Sequence, residues 1–308
     1  MRFLARYCSA FAVSTVLLFA VWQSSEAQTI FRSGQSVQPV FEGWERNPDG
    51  TFTMWFGYMN RNYEEQPHVP VGENNFFSPG QADRGQPTHF YNRRQNFMFS
   101  TVVPADWGDQ QLIWTMRHEG QDHKAVGWLF DVNWEIDEGV WRANRSTGIR
   151  GRGDAIEMVN KPPTVSILGS MAVTAYVDEP LTLTATASDD NNPGPEKPAA
   201  RPPQAQPQQE GEKPLPIANF APIRSEGPIQ QQMVKYRLAT PTGLAITWLH
   251  HRGPGMVKFE PQAKGVEPGK EFQTTVLFSE PGTHVIRAAA DDTGFVRYAD
   301  VTVEVRRR

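Results

Sequence analysis

Carboxylates, aspartate pairs and histidines are the side chains of this sequence most able to do chemistry. Glu64, Glu65 and Asp83 fall inside a stretch from Gly57 to Phe99 that also carries Tyr63, Phe76, Phe77, Phe90 and Tyr91. Two carboxylates beside a row of aromatic rings are the parts of a glycan-cleaving site, with an acid for the leaving oxygen, a base or nucleophile, and rings for sugar stacking. The same acids stand among Arg61, Arg84, Arg93 and Arg94, and ion pairs that keep a long loop in shape need the same residue types. The structural use is the stronger expectation, because nothing in the sequence sets the separation of the carboxylates.

Asp189 and Asp190 precede Asn191-Asn192, and Asp291-Asp292 closes a second apolar run. Calcium takes six to eight oxygen ligands, so two acidic corners meeting at one pole of a sandwich would make a site; solvated turn carboxylates are the plainer reading. The histidines make a poorer case for metal. His118-Glu119-Gly120-Gln121-Asp122-His123 imitates a zinc-protease motif with the wrong spacing and a glycine suited to a turn. His250 and His251 are neighbours in a strand-like run and point to opposite faces. His68 and His89 flank the long connection without an assigned third ligand.

These residues need elements to hold them. Val37 to Trp44 alternates, Asn47-Pro48-Asp49-Gly50 is turn chemistry, and Thr51 to Asn60 sets Phe52, Met54, Phe56 and Tyr58 on one face, which predicts a hairpin. After residues 61–95, Asn96 to Val103 alternates with Phe97, Phe99, Thr101 and Val103 together. Leu112, Trp114 and Met116 share a face, Gly120-Gln121-Asp122 marks a turn, and Lys124 to Trp134 follows. A front β-sandwich over residues 37–136 is expected, interrupted by one long loop. A connection of that length inside a compact domain is functional or disordered, and its aromatics argue for order. It is the expected recognition surface, with Tyr58, Asn60, Arg61, Tyr63, Glu64, Phe76, Phe77, His89 and Tyr91 as its ligand-binding residues.

Residues 137–160 read as a linker. They contain Arg152-Gly153-Asp154, a chance tripeptide in a chain of this length, and the glycosylation acceptor Asn144-Arg145-Ser146. From residue 161 onward seven strands emerge: Thr164 to Leu168, the half-buried LTLTATA run from Leu181, Ala245 to His251, Met256 to Glu260, Phe272 to Phe278, Thr283 to Ala290 and Tyr298 to Val305. The segments KPPTVSI, EPLTLTATASDDN, ITWLHHRGPGMVKFEP and FSEPGTHVIRAAADD resemble the PKD and bacterial Ig-like group of extracellular β-sandwiches. That resemblance implies an Ig-like fold for residues 161–308, with Trp248 in the core and Glu280-Pro281-Gly282 as a turn. The chain lacks the Trp-x-Phe-Gly-Asp signature of standard PKD repeats and inserts residues 193–232, whose Pro, Gln and Glu content predicts a disordered, partly extended loop. The front domain is similar in a general way to exported proteins of environmental bacteria, a likeness with no activity to carry over.

Bulk properties bound the rest. Met1 to Ala27 reads as a cleaved signal peptide, with Arg2 and Arg6 before an apolar run and Ser25-Glu26-Ala27 as the cleavage site, and residues 28–36 as a tether. The protein is therefore expected to be exported to the periplasm, the cell surface or the medium. Removing 27 of 308 residues leaves 281, and takes away Cys8, the single cysteine, together with all thiolate chemistry. The formal net charge is −4, or −5 without the signal, which argues against nucleic acid as a partner. No later stretch is apolar enough to span a membrane.

The fold class expected is all-β, two β-sandwiches in tandem after a signal peptide. The function expected is a non-enzymatic binding or adhesion protein whose loop meets a glycan or protein at the cell surface, the Ig-like domain acting as spacer. A subunit of an extracellular or cell-envelope assembly and a glycan-active hydrolase are the alternatives. No cofactor is expected apart from calcium at the acidic turns, and the oligomeric state is left open.

Overall fold

The structure, a computed structural model, describes residues 31–129, 134–136, 161–190, 243–292 and 295–308. The segment expected to be a signal peptide, the body of the expected linker with its Arg-Gly-Asp tripeptide, and the expected insert at 193–232 lie outside the described residues. Among the described residues the elements are strands, and no helix is long and apolar enough to cross a membrane, which leaves strand-built membrane proteins unaddressed.

The front module contains β1 (Val37–Arg46), β2 (Phe52–Asn60), β3 (Asn75–Ser78), β4 (Arg93–Val103), β5 (Leu112–His118) and β6 (Gln121–Gly127). They form two three-stranded sheets, β1-β2-β4 and β3-β5-β6. Gly50, at φ +86°, closes the first hairpin by donating its N–H to Asn47 O. Glu119 and Gly120, both at positive φ, form the two-residue turn between β5 and β6. The residues that imitate a zinc-protease motif are thus a hairpin, with His118 opposite Gln121 and His123 opposite Met116. Between the sheets, Phe56, Phe77, Phe99 and Trp114 pack ring to ring at centroid separations from 5.0 to 6.1 Å. Each ring is fully buried, and burial of a ring that size is worth about 2–3 kcal/mol.

Two bulges in the front module depart from plain alternation. On β1 the register shifts between Phe41 and Gly43, so both Phe41 and Trp44 are buried although alternation sets them on opposite faces. On β4 the shift opposite Gly57 is larger, with Phe56 facing Phe99 while Tyr58 faces Gln95. Phe97, at φ 50°, turns away from Phe99 and packs edge-on against Trp55 on the other side of the sheet. The expectation that Phe97 and Phe99 share a face is corrected by this bulge.

The rear module is an Ig-like sandwich. It holds β7 (Thr164–Leu168), β8 (Ala172–Tyr176), β9 (Leu181–Ser188), β10 (Ala245–Arg252), β11 (Val257–Glu260), β12 (Ala263–Gly265), β13 (Glu271–Phe278), β14 (Gly282–Asp291) and β15 (Val296–Arg306). The sheets run β12-β10-β14-β15-β8 and β11-β13-β9-β7, with β8 parallel to β15. β8 and β12 are additions to the seven expected strands; β12 is three residues long, too short to show a period, and β8 pairs with a strand far along the chain. Trp248, Ile286, Ala288, Phe278 and Val303 fill the core between the sheets.

A solitary sandwich turns the outer face of each sheet to water. Here the outer face of β10, β14 and β15 is covered, and Leu249, Ala289, Phe295 and Val296 join the core of the front module. Trp55 of β2 meets Tyr298 of β15 from the opposite side. The two sandwiches therefore share a continuous apolar layer.

Candidate functional site

The long connection is ordered by buried amides. Asn60, with no exposure, donates from Nδ2 to Glu65 O at 2.8 Å and Phe90 O at 3.1 Å, and its Oδ1 accepts from the Asn62 N–H and Nδ2. Asn75, also fully buried, donates to Val69 O and Pro87 O and accepts from Trp114 Nε1 at 2.9 Å. Asn92 donates to Glu65 O at 2.9 Å, and Gln86 donates to Ala82 O at 2.9 Å. An amide carries two donors and an acceptor with two lone pairs, so one buried Asn satisfies three backbone or side-chain groups that a loop would otherwise leave to water. Inside this frame residues 67–69 run against 88–90, with Val69 N–H donating to Thr88 O and Phe90 N–H to Pro67 O. β3 then lies beside β5, so the segment read as one irregular loop contains a strand of the second sheet.

The loop carboxylates find their main partners outside the loop, with Asp83 also accepting the Gly85 N–H within it. Glu64 pairs with Arg32 at 2.8 Å, Glu65 accepts the Gly34 N–H at 2.7 Å, and Asp83 takes a two-pronged bond from Arg252 of the rear module at 2.6 and 3.0 Å. Those bonds hold the Asp83 carboxyl below its usual range. The pairing with Arg61, Arg84, Arg93 and Arg94 expected from the sequence does not form. Arg93 instead lies over the Tyr63 ring and donates to Arg61 O, and Arg94 pairs with buried Glu42 at 2.7 Å. Burial pushes the Glu42 carboxyl up against the opposing pull of Arg94. Its Oε1 accepts the Phe97 N–H, so this acid clamps the β4 bulge. Residues 31–36 lie against 61–65 through bonds from Arg61, Tyr63 and Glu64 N–H groups to Ser36, Phe31 and Arg32 carbonyls.

The nine expected ligand-binding residues separate into two sets. Tyr58, Asn60, Phe77 and His89 are buried, at 0, 0, 2 and 2 % exposure, and each is committed to neighbours within the protein. Tyr91 faces the rear module. Its N–H donates to the Tyr58 hydroxyl at 2.9 Å, and its own hydroxyl accepts the His250 N–H at 2.7 Å. Burial raises the pKa of both phenols, so each stays protonated. Arg61 and Glu64 are exposed and Tyr63 and Phe76 partly so, Phe76 carrying Arg117 over its ring. The expectation of a platform facing solvent is corrected for the inner half of the connection, which lies against the rear sandwich.

That contact is a seam with its own polar structure, which strand alternation and turn residues do not announce. A bulge at His251 aims the His251 carbonyl at the loop, where it accepts from the Thr88 and His89 N–H groups, and Gly253 N–H donates to Thr88 Oγ1 at 3.1 Å. His251 Nε2 reaches Gly85 O at 2.9 Å, and Arg252 Nε reaches Gln86 O at 2.7 Å. His89 stacks on His250 with centroids 4.4 Å apart. Nearer the chain end, Arg287 binds Asp300 through two bonds of 2.7 Å and donates across the seam to Met98 O at 2.6 Å, while the Tyr298 hydroxyl donates to Phe97 O.

No protein-family profile matches the sequence, and no curated protein matches it. Solved structures match at low similarity. The fibronectin(III)-like modules of Clostridium thermocellum CbhA overlay with a TM-score of 0.24 at 11 % identity, over 88 % of this chain and 95 % of theirs. The D0-D1 domain of intimin gives 0.23 at 9 %, over 87 % and 97 %, and domains 4 and 5 of the S-layer protein SbsC give 0.21 at 9 %, over 64 % and 65 %.

The aspartate corners do reach one pole of the rear sandwich. Gly269 N–H donates to Ala187 O beside Asp189, and Val266 N–H donates to Leu244 O beside the end of β14, where Asp291 lies opposite Ala245. Asp291 and Asp292 are buried, and Asp292 accepts the Phe295 N–H. Among the described residues, no group of three or more His, Cys, Asp or Glu is disposed to hold a metal ion.

Proposed function

We propose that this chain is an exported, non-enzymatic β protein that binds a glycan or protein through the outward side of the long connection, with the two sandwiches acting as one rigid body. The observation that carries this reading is the division of the connection. Its inner half is spent on the seam, and its outer half leaves Arg61, Tyr63, Glu64 and Phe76 at the surface. Tyr63 and Phe76 each have one face covered by an arginine, which presents a flat aromatic and guanidinium plane suited to a sugar ring or a peptide backbone. Rigidity favours binding because less loop entropy is lost on contact. The hydrolase alternative draws no support from Glu64, Glu65 or Asp83, since each is held by a cation or a backbone N–H.

The test is glycan-array and surface-protein binding by the full chain. Loss of signal in Tyr63→Ala or Phe76→Ala, with the unfolding midpoint unchanged, supports the reading; binding indifferent to both refutes it. The assembly-subunit reading has its own support. β8 and β7 end their sheets, and Leu168 at the end of β7 and Met171 just before β8 are 42 % and 53 % exposed. Self-association that Met171→Glu abolishes in size-exclusion runs would favour it.

A further inference from the structure

Histidines that the binding reading does not use converge on the seam. His89 from the loop, His250 and His251 from β10 and His284 from β14 are all buried, at 2, 1, 2 and 0 % exposure. His89 stacks on His250, and the His250 and His284 centroids are 5.3 Å apart. The bonding partners fix the tautomers. Gln66 commits its amide nitrogen to Asn92, so its oxygen must accept from His89 Nε2 at 3.0 Å. His284 Nε2 donates to Glu280 O, leaving Nδ1 to accept from His250 Nε2 at 3.3 Å. His251 Nε2 donates to Gly85 O. The Nδ1 atoms of His89, His250 and His251 are buried with no hydrogen-bond partner. The rings are therefore neutral, and a proton added at any bare Nδ1 would be a buried donor with nothing to accept it.

We propose that the seam is an acid-sensitive latch: protonation of its histidines separates the front and rear sandwiches while each sandwich keeps its strands.

The surroundings offer little to stabilise an imidazolium. From the loop, the charged or titratable groups facing the cluster are His68, Asp83 and Tyr91, and Asp83 is bound to Arg252. From β10 there is Arg252, and from β14 Arg287, both cations that disfavour charge on His251. Glu280 and Glu304 act on His284 from the rim, and Glu304 already accepts from Thr283. Burial, reinforced by the neighbouring histidines, holds His89 at about 4 and His250 at about 2, below the ordinary 6.5. Burial also lowers His251 and His284. A ring whose pKa is depressed when docked and ordinary when solvated binds its proton first in the open form. The closed form thus dominates above about pH 6.5 and loses ground as the pH falls from there toward 4.

The test is small-angle scattering of the full chain from about pH 7.5 to about pH 4, with far-ultraviolet circular dichroism on the same samples. The radius of gyration should rise while the strand signal persists. In His89→Gln/His250→Gln, where each amide keeps a donor but cannot titrate, the slope of log(open/closed) against pH should fall by about two. His123→Gln, outside the seam, should leave the profile in place. A profile unchanged to the acid end, strand signal lost at the same midpoint as the expansion, or a slope unaffected in the double variant would each overturn the proposal. If the double variant does not fold, amide exchange in the unaltered chain decides: protection at Thr88, His250 and Gly253 must fall before that of β2 and β14, and simultaneous loss refutes the latch.

Discussion

Replacing Arg287 with methionine tests whether the two sandwiches are one thermodynamic unit. The side chain is 8 % exposed and makes two charge-assisted bonds to Asp300 and one to Met98 O in the front module, with its guanidinium 4.7 Å from the Tyr298 ring. Asp300 is 39 % exposed and regains water when left alone, so its half of the loss is about 1 kcal/mol, as for a surface pair. The Met98 carbonyl has no such recourse, and an abandoned buried acceptor costs about 1–3 kcal/mol. Methionine retains most of the stem packing. The expected loss is about 2–4 kcal/mol, a factor of roughly 30 to 1,000 in the folding equilibrium. Urea titration followed by tryptophan emission reads it directly, because Trp55 lies against Tyr298. A cycle with Asp300→Ala should show coupling of about 1 kcal/mol. A single variant within about 0.5 kcal/mol of the parent would mean that the seam does not couple the modules, and additive losses in the cycle would mean that Arg287 and Asp300 do not act as a pair within the rear module.

Other perturbations probe the front module. Gly57→Ala should unfold or severely destabilise the chain, because the added methyl would overlap Glu42 Oε1 and Gln95 O at the β4 bulge; a midpoint close to that of the parent would refute the clamp. Asn75→Leu should cost more than Asn75→Ala, since leucine keeps water from the Val69 and Pro87 carbonyls and Trp114 Nε1, whereas alanine leaves room for it; the reverse order in urea midpoints would refute the amide frame. Tyr91→Phe strands the His250 N–H and should lower stability by about 1–2 kcal/mol, with amide exchange at His250 accelerated; unchanged exchange would exclude a bond across the seam.

Much of the architecture was legible in the sequence because a strand that buries one face must alternate. Leu112, Trp114 and Met116 declare β5 in this way, and Leu183, Ala185 and Ala187 declare β9. Turn residues at Asn47 to Gly50 name the first hairpin, and Gly120 signals the second, whose turn is Glu119-Gly120 and not Gly120 to Asp122, since Gln121 and Asp122 already belong to β6. The site was less legible. Asn60 read as a ligand contact and is a buried hub, and only the density of Asn and Gln in the connection signalled an amide frame. Tyr58 and His89 carry recognition chemistry by type, yet burial gives them to the core and the seam.

The pattern of β10 held a clue of another kind: Ala245 to His251 is buried at every residue, which alternation for a half-exposed strand does not require. Side-chain period and turn chemistry are local, and they sufficed for strands, hairpins and the Ig-like character of the rear half. Which outer sheet face would meet which loop depends on two segments far apart in the chain, brought together by shape, by the His251 bulge and by buried carbonyls that only a docked partner can satisfy. That pairing belongs to the folded molecule, and it turned the inner half of an expected outward platform into a contact between modules.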